Sequence, residues 1–192
     1  MDRIEPRAGV ATSALRRRLL SRPEVRYVEP DYVVAGSKLP NDPRFVEQYG
    51  LSNSAGHDIN APSGWDRRTN CSKVAVLDTG VDVDHPDVAS NLWKNTKETP
   101  DNGKDHDDNG YVDDYFGVDI LRGAGSGIDG DGHGTHVAGI VAGVGSNGIG
   151  VTGACWTGSV MSVKFMNLRG RGATSDAAEG IVAVARHAAF RI

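Results

Sequence analysis

Two near-continuous apolar runs stand out in the pattern of hydrophobic and polar positions. Residues 73–77 and 159–166 have the composition of strands that are buried inside a parallel sheet. Between and after them, apolar residues recur at spacings of three and four, which predicts helices over 134–144 and 175–189, the second with Thr174 or Ser175 as its N-cap. The apolar positions are Val137, Ile140, Val141 and Val144 in the first helix and Ala178, Ile181, Val182 and Ala185 in the second. This order of elements predicts an α/β fold with a doubly wound, mainly parallel sheet, whose functional site lies at the carboxyl ends of its strands.

The first 38 residues have a different pattern. A short basic helix is predicted over 13–21, a strand over 25–28 and a linker over 35–38, so that 1–38 forms a separate α+β segment before a domain over 39–192. The three arginines at 16–18 lie next to leucines, which favours a solvated helix face over a nucleic-acid site. We therefore expect no nucleic-acid partner.

Composition is ordinary for a soluble globular protein, with 39% hydrophobic and 24% charged residues. No apolar run approaches the roughly 18 residues of a membrane span, and no secretory signal follows Met1, although a leader could precede it. The net charge of −4 is unevenly spread, because residues 97–131 hold ten acids and three bases. This segment is expected to bind a cation.

Two smaller features leave alternatives open. Cys71 and Cys155 have no CxxC spacing, which argues against a zinc or thioredoxin-like site, and they form either one disulfide or two buried thiols. The glycine-rich run at 123–127 follows no clear strand, so a flexible loop is favoured over a phosphate cradle.

Asp78 and His133 carry the strongest chemical signal. Asp78 ends the first predicted strand, and His133 stands where the first predicted helix begins. A serine nucleophile needs a neutral imidazole as its base, and the imidazole needs a carboxylate on its other nitrogen. The positive end of the helix should favour the uncharged ring of His133.

Residues 78–87 and 131–140 closely resemble the Asp and His motifs of the subtilisin-like serine proteases, the subtilase family, in the order of that family. The resemblance implies that Asp78 orients the base His133 and that His136 packs within the helix. A zinc site at the two histidines is disfavoured, because they are three residues apart without the intervening Glu of zinc-protease helices. The implied fold is subtilisin-like, and the implied activity is endopeptidase cleavage of polypeptides.

Further segments extend this resemblance over most of the chain. Residues 41–45 and 59–66 resemble the start of a mature subtilase domain, so 39–192 is expected to be the N-terminal part of the catalytic domain. Residues 25–34 resemble the end of the inhibitory propeptide of the family, which makes 1–38 its C-terminal part and places processing near 35–39. The resemblance implies an exported, extracellular zymogen whose own propeptide is an inhibitory partner.

The nucleophilic serine and the oxyanion asparagine of the family are expected downstream, because the chain ends 59 residues (192 − 133) after His133. Ser175 is explained as a helix cap. We therefore expect a fragment that is inactive by itself. Two alternatives are a non-catalytic regulator that inhibits through 1–38 and a calcium-binding module.

Residues 164–172 resemble the strand and loop with which subtilases bind the substrate residues before the scissile bond. The resemblance implies substrate contacts at Gly170, Arg171 and Gly172. Such a site pairs with the backbone of an extended peptide and tolerates many sequences. Arg171 suggests a preference for acidic residues.

Calcium is the expected cofactor, at two sites. Asp105, Asp107, Asn109 and Asp113 place oxygens at positions 1, 3, 5 and 9 of a loop like an EF-hand, with a glycine at 6 but no Glu at 12. A solvated loop is the alternative there. The second site is implied by the resemblance alone, and its ligands are Asp42, Asp87, the side chain of Asn147 and the carbonyls of Val144, Ile149 and Val151.

Overall fold

The structure, a computed structural model, describes residue 4 and residues 8–30, 38–125 and 127–187. It divides the chain into two compact units, residues 1–36 and 37–192. None of the helices in the described ranges combines the length and the apolar character that crossing a bilayer requires.

In the first unit, helix α1 spans Thr12–Leu20, close to the prediction. The predicted strand at 25–28 is wrong, because residues 25–30 form no regular element. The described part of this unit provides no partner strand, and an unpaired strand leaves its backbone groups unsatisfied. Arg16 Nε instead donates a hydrogen bond to the carbonyl of Val28 at 3.0 Å. Most of the predicted linker lies outside the described residues.

Within the described residues, the second unit is built on a four-stranded sheet. Its strands are β1 (Asn70–Asp78), β2 (Gly117–Asp119), β3 (Ala124–Gly125) and β4 (Thr157–Lys164), in the spatial order β1-β4-β2-β3. Strands β1 and β2 run parallel to β4, and β3 is antiparallel to β2. The two strands predicted from apolar runs are β1 and β4, and the predicted α/β fold is confirmed.

Helices cover both faces of this sheet. The helices that pack on it are α3 (His133–Ala142) and α4 (Thr174–Arg186), while α2 (Ala61–Trp65) packs through Trp65 against Trp156. Short 3-10 turns lie at Phe45–Glu47 and Ala89–Asn91. Successive side chains of a strand point to opposite faces. Val76 packs with Ala138 of α3, whereas its neighbour Leu77 packs with Ala183 of α4. The doubly wound arrangement follows from this alternation.

The faces that the helices bury differ from those predicted. Ile140, Ile181 and Val182 are about half exposed, at 53%, 49% and 49%, whereas small residues face the sheet. A Cβ at Gly134 would lie 2.1 Å from the carbonyl oxygen of Gly80. Such close approach of a helix to the sheet excludes larger side chains.

The N-terminus of α4 also differs from the prediction. The helix begins at Thr174, so its N-cap is Ala173 rather than Thr174 or Ser175. Asp176, in the first turn, accepts a hydrogen bond from the Ala173 amide at 3.3 Å. An acid at the third helical position therefore caps the helix without a hydroxyl at the N-cap.

The structure decides between the two cysteine alternatives and corrects the prediction for the glycine-rich run. Cys71 and Cys155 form a disulfide, which joins β1 to the segment before β4 across a Cα–Cα distance of 5.6 Å. The glycine-rich run at 123–127 is not simply a loop, because Ala124 and Gly125 form β3. A Cβ at Gly125 would lie 1.9 Å from the carbonyl oxygen of Asp113, so close packing requires glycine there.

Candidate active site

Asp78 lies at the carboxyl end of β1, where the predicted site was expected. Its register partner across the parallel ladder is Lys164, at the end of β4. The residue is 6% exposed, and its Oδ1 accepts a hydrogen bond from the Thr79 amide at 2.7 Å. The turn continues through Gly80, where φ is +110° and a Cβ would lie 2.5 Å from the carbonyl oxygen of Gly127. Glycine is needed at this position for both reasons.

His133 is the first residue of α3, and it contacts Asp78. The ring Nδ1 lies 2.8 Å from Asp78 Oδ1 and 2.9 Å from Oδ2. The histidine side chain is 63% exposed and the aspartate side chain is 9% exposed. A buried carboxylate thus fixes one nitrogen of a ring whose other side faces the solvent. This is the arrangement that an acid–base imidazole requires.

The pKa of His133 is shifted in the direction opposite to the one expected from the helix terminus. The hydrogen bond with Asp78 and its negative charge raise the pKa of the imidazole, and Asp131 and Asp129 add to this effect, while partial burial opposes it. The nearby carboxylates therefore favour the protonated imidazole. Below its raised pKa the ring carries a proton and cannot act as a base.

A second acid, Asp129, organises the start of α3. Its carboxylate accepts hydrogen bonds from the Gly132 amide at 2.9 Å, from the Thr79 hydroxyl at 2.8 Å and from the Thr135 amide at 2.9 Å. The Thr79 hydroxyl in turn accepts one from the Gly134 amide at 2.9 Å. Burial opposes ionisation of Asp129, but the hydrogen bonds outweigh it and hold its pKa well below its usual range.

Sequence reasoning missed the roles of Asp129 and Thr79. We call Asp78, Thr79, Asp129 and His133 together the catalytic edge. The available signal was the run of acids and glycines at 129–132, which is typical of a turn before a helix. That pattern predicts a helix cap, but it does not indicate that the capping carboxylate of Asp129 also accepts a hydrogen bond from Thr79, the residue after Asp78.

Two other predicted features are placed away from this pair. His136 is exposed to solvent on α3, whereas the resemblance implied that it packs within the helix. Ser175 lies in the first turn of α4, where its hydroxyl interacts with Asp176 Oδ1 at 3.4 Å. In the described ranges, the hydrogen bonds of the His133 ring go to Asp78.

The predicted substrate loop follows β4 and is closed by Asn167. The Asn167 amide donates to the carbonyl of Arg171 at 2.9 Å, and its side-chain oxygen accepts from the Arg169 amide at 2.9 Å. Gly170 has φ of +64°, and a Cβ at Gly172 would lie 2.3 Å from the carbonyl oxygen of Phe165. The loop is thus a defined turn with Arg171 exposed on it.

Residues of the second predicted calcium site converge from three segments. Asp42 and Asp87 are both 4% exposed. Asp42 Oδ2 accepts from the Ser146 amide at 2.7 Å, and Asp87 accepts from the Asn147 side chain at 2.7 Å and from the Val151 amide at 2.9 Å. The turn that would supply the carbonyls of Val144, Ile149 and Val151 therefore wraps around both buried carboxylates.

The acidic loop, residues 98–114, brings only part of the other predicted set together. Ligand oxygens of Asp105 and Asp107 lie within 4.8 Å of one another and of Glu98. The Asn109 side chain instead donates to Asp114 at 2.8 Å. Asp113 instead accepts from the backbone amides of residues 102 and 103 at 3.0 and 2.9 Å. Sequence reasoning missed Glu98, because it lies seven residues before Asp105 and outside the spacing of the loop.

One atom of this cluster has no partner. Asp107 Oδ1 is buried without a hydrogen bond, and the side chain is 7% exposed. The other oxygen, Oδ2, lies 3.7 Å from Lys97 Nζ and accepts from the Asn95 side chain at 3.3 Å. An unpaired buried carboxylate oxygen is costly, and a hard cation bound by oxygens would satisfy it.

Comparisons with known proteins point to one family. The chain is 44% identical over 87 residues to subtilisin-like protease 1 of Plasmodium vivax, which covers 45% of this chain and 14% of that protein. It is 33% identical over 190 residues to an extracellular protease of Xanthomonas campestris pv. campestris, covering 94% of this chain and 32% of the relative. This chain thus spans a third or less of the length of these relatives.

A solved structure supports the same assignment. A protease from Pseudoalteromonas arctica PAMC 21717 matches with a TM-score of 0.56 and 32% identity, over 74% of this chain and 43% of that one. The model described as the subtilase family matches residues 70–192, which is more than half of the chain and includes both Asp78 and His133. The chain therefore belongs to the subtilase family of serine peptidases.

Proposed function

We propose that this chain carries the aspartate and the histidine of a serine endopeptidase. The contact between His133 Nδ1 and Asp78, at 2.8 Å on an exposed ring, is the observation that carries the proposal. In this role Asp78 holds the imidazole in one tautomer and stabilises the imidazolium, while His133 moves the proton.

The chemistry requires one more group. His133 Nε2 would accept the proton of a serine hydroxyl as the serine oxygen attacks the peptide carbonyl. The same proton then passes to the leaving amine as the peptide C–N bond breaks. Residues 1–192 contain no segment that resembles the nucleophile motif of the family. We therefore expect that residues 1–192 alone do not hydrolyse peptides.

Polypeptides are the proposed substrates, bound at the loop that holds Gly170, Arg171 and Gly172. The loop directly follows β4, and its closure by Asn167 would present its backbone to an extended chain. The exposed guanidinium of Arg171 favours an acidic substrate side chain. Peptide libraries that place Asp, Asn or Lys at each position before the scissile bond would test this preference against an Arg171→Ser variant.

A labelling experiment on the full-length gene product tests the catalytic proposal. An active-site serine should react with a fluorophosphonate probe, and His133→Ala should abolish both labelling and peptide hydrolysis. His136→Ala is the matched control, because that histidine is exposed on the same helix, and it should retain both. Labelling that survives His133→Ala would contradict the proposal.

Calcium is the second part of the proposal. The buried and unpartnered Asp107 Oδ1, beside Glu98 and Asp105, fits a cation bound by oxygens. The buried pair Asp42 and Asp87 fits a second ion within its turn. An ion that binds only the folded protein stabilises it by mass action, so calcium would act structurally at both places.

Melting curves in calcium and in chelator test this role. Calcium should raise the melting temperature of the full-length protein, and Asp107→Asn should remove part of the increase. Asp108→Asn is the matched control, because Asp108 is the exposed neighbour of Asp107. Equal calcium shifts in both variants would exclude the acidic loop from binding.

Residues 1–38 are proposed to be the end of an inhibitory propeptide of an exported zymogen. The resemblance of 25–34 to that segment supports this, as does the relative from Xanthomonas campestris whose name calls it extracellular. N-terminal sequencing of the mature protein should find a start between residues 35 and 39. A mature protein that retains α1 would contradict the proposal.

A further inference from the structure

Lys164 is the last residue of β4, and its side chain is buried beside the catalytic edge. The residue is 7% exposed, although lysine is rarely so buried without an opposite charge. Within the described ranges no carboxylate forms an ion pair with it. Its Nζ donates instead to the carbonyl oxygen of Thr79 at 2.8 Å and to that of Ile128 at 2.7 Å. Because burial of an ammonium is unfavourable, stability alone does not account for a lysine here.

The two carbonyls belong to residues that adjoin the two acids of the catalytic edge. Thr79 follows Asp78, and Ile128 precedes Asp129. The backbone of β4 already holds Asp78, because the Phe165 amide donates to its carbonyl at 3.0 Å. The Lys164 side chain adds a second hydrogen bond at the next residue, Thr79. It also binds the carbonyl of Ile128 and so joins the segment after β1 to the segment before α3.

Close packing around Lys164 supports a defined position for its ammonium. A Cβ at Gly127 would lie 2.5 Å from Lys164 Cβ, so the chain before Ile128 passes directly against the lysine. The Gly127 carbonyl accepts from the Val81 amide at 3.1 Å, and Val81 is 0% exposed. The two segments that Lys164 connects are therefore also bonded to each other.

We propose that Lys164 is a positioning residue for the Asp78–His133 pair: its ammonium clamps the backbone at Thr79 and Ile128 and so fixes the Asp78 carboxylate under the imidazole. This rests on the proposed function. The clamp acts through Thr79, because the Thr79 hydroxyl donates a hydrogen bond to Asp129 and accepts one from the amide of Gly134, the residue after His133. Loss of the clamp lets the acid and the base move relative to each other, and small displacements of this kind reduce turnover.

The test compares Lys164→Met, Lys164→Arg and Lys73→Met in the full-length protein. Methionine keeps the length of the side chain without its donors, arginine keeps donors and charge, and Lys73 is an exposed lysine of β1. We expect Lys164→Met to lower kcat roughly 10- to 100-fold with KM changed by less than about twofold. Lys164→Arg should regain part of this loss, and Lys73→Met should match the wild type.

A proton NMR signal separates positioning from simple stabilisation. The His133 Nδ1 proton, bonded to Asp78, should resonate far downfield in the wild type, and it should broaden or move upfield in Lys164→Met. Charged groups that face His133 are Asp78, Asp129 and Asp131, and none of them changes in these variants. A variant that melts earlier but keeps kcat and this signal would overturn the proposal.

A measurement on the wild type covers the case in which Lys164→Met does not fold. A clamped ammonium should exchange its protons slowly and give an observable 15Nζ resonance, whereas rapid exchange like that of an exposed lysine would overturn the clamp. Both NMR signals need no substrate. If the signals respond as expected but the wild type cleaves no peptide, the proposed function fails and the clamp stands.

Discussion

At the catalytic edge both oxygens of Asp78 lie within 2.9 Å of a histidine nitrogen, whereas in the acidic loop one oxygen of the buried Asp107 has no partner. Both regions contain closely spaced carboxylates. The catalytic edge is satisfied by hydrogen bonds of the protein itself, which is how a preorganised acid–base site is built. The acidic loop leaves one carboxylate oxygen of Asp107 without a hydrogen bond. We therefore propose different roles for the same type of side chain, catalysis at the catalytic edge and cation binding in the acidic loop.

The largest expected effect comes from removing the charge at the catalytic edge. Asp78→Asn should lower kcat of the full-length enzyme about 10⁴-fold, because the amide no longer holds the correct imidazole tautomer. KM should change little, since Asp78 is buried below the ring. Steady-state kinetics with a peptide substrate measure this, with the exposed Asp84→Asn as control. A loss smaller than about tenfold would place Asp78 outside the mechanism.

An intermediate effect is expected at Asp129, which supports the catalytic edge by accepting hydrogen bonds from the backbone amides at the start of α3. Asp129→Asn should lower the free energy of unfolding by about 2 kcal/mol, because several hydrogen bonds to a charged acceptor are weakened. The folded pKa of Asp129 is lowered, so its contribution is complete above the unfolded pKa and is lost as pH falls toward the folded pKa. Denaturant unfolding at several pH values measures the difference. A difference that is the same at pH 7 and pH 3 would contradict this account.

The smallest effect is expected at Asp131, which acts on the same ring only through space. Asp131 contributes to the raised pKa of His133. Asp131→Asn should therefore lower that pKa slightly and move the acid limb of the pH–rate profile to lower pH. High salt should remove the difference between variant and wild type, because the charge is exposed. A shift to higher pH would contradict the assigned sign.

The parts of the molecule that the sequence predicted well are those with regular spacing. The apolar runs predicted β1 and β4, and the motifs around Asp78 and His133 predicted that these two would meet. The helices were predicted, but Ile140 and Ile181 are exposed where burial was expected. A spacing of three and four describes two adjacent faces of a helix, and only tertiary packing decides which face approaches the sheet.

Contacts between distant segments could not be predicted from local pattern. Glu98 joins Asp105 and Asp107 through the path of the loop, and Lys164 reaches two carbonyls that are 85 and 36 residues away. The strand expected at 25–28 failed for the same reason, since a strand depends on its partner. Chemistry-bearing residues are visible in a sequence, whereas the residues that position them appear only in the fold.

Titration of His133 by 15N NMR in wild type and in Asp78→Asn tests the central claim most directly. The account predicts that the wild-type pKa lies above the ordinary value of histidine, with Nδ1 protonated toward Asp78, and that Asp78→Asn lowers it. An imidazole that titrates at the same pH in both proteins would contradict the pairing of Asp78 with His133.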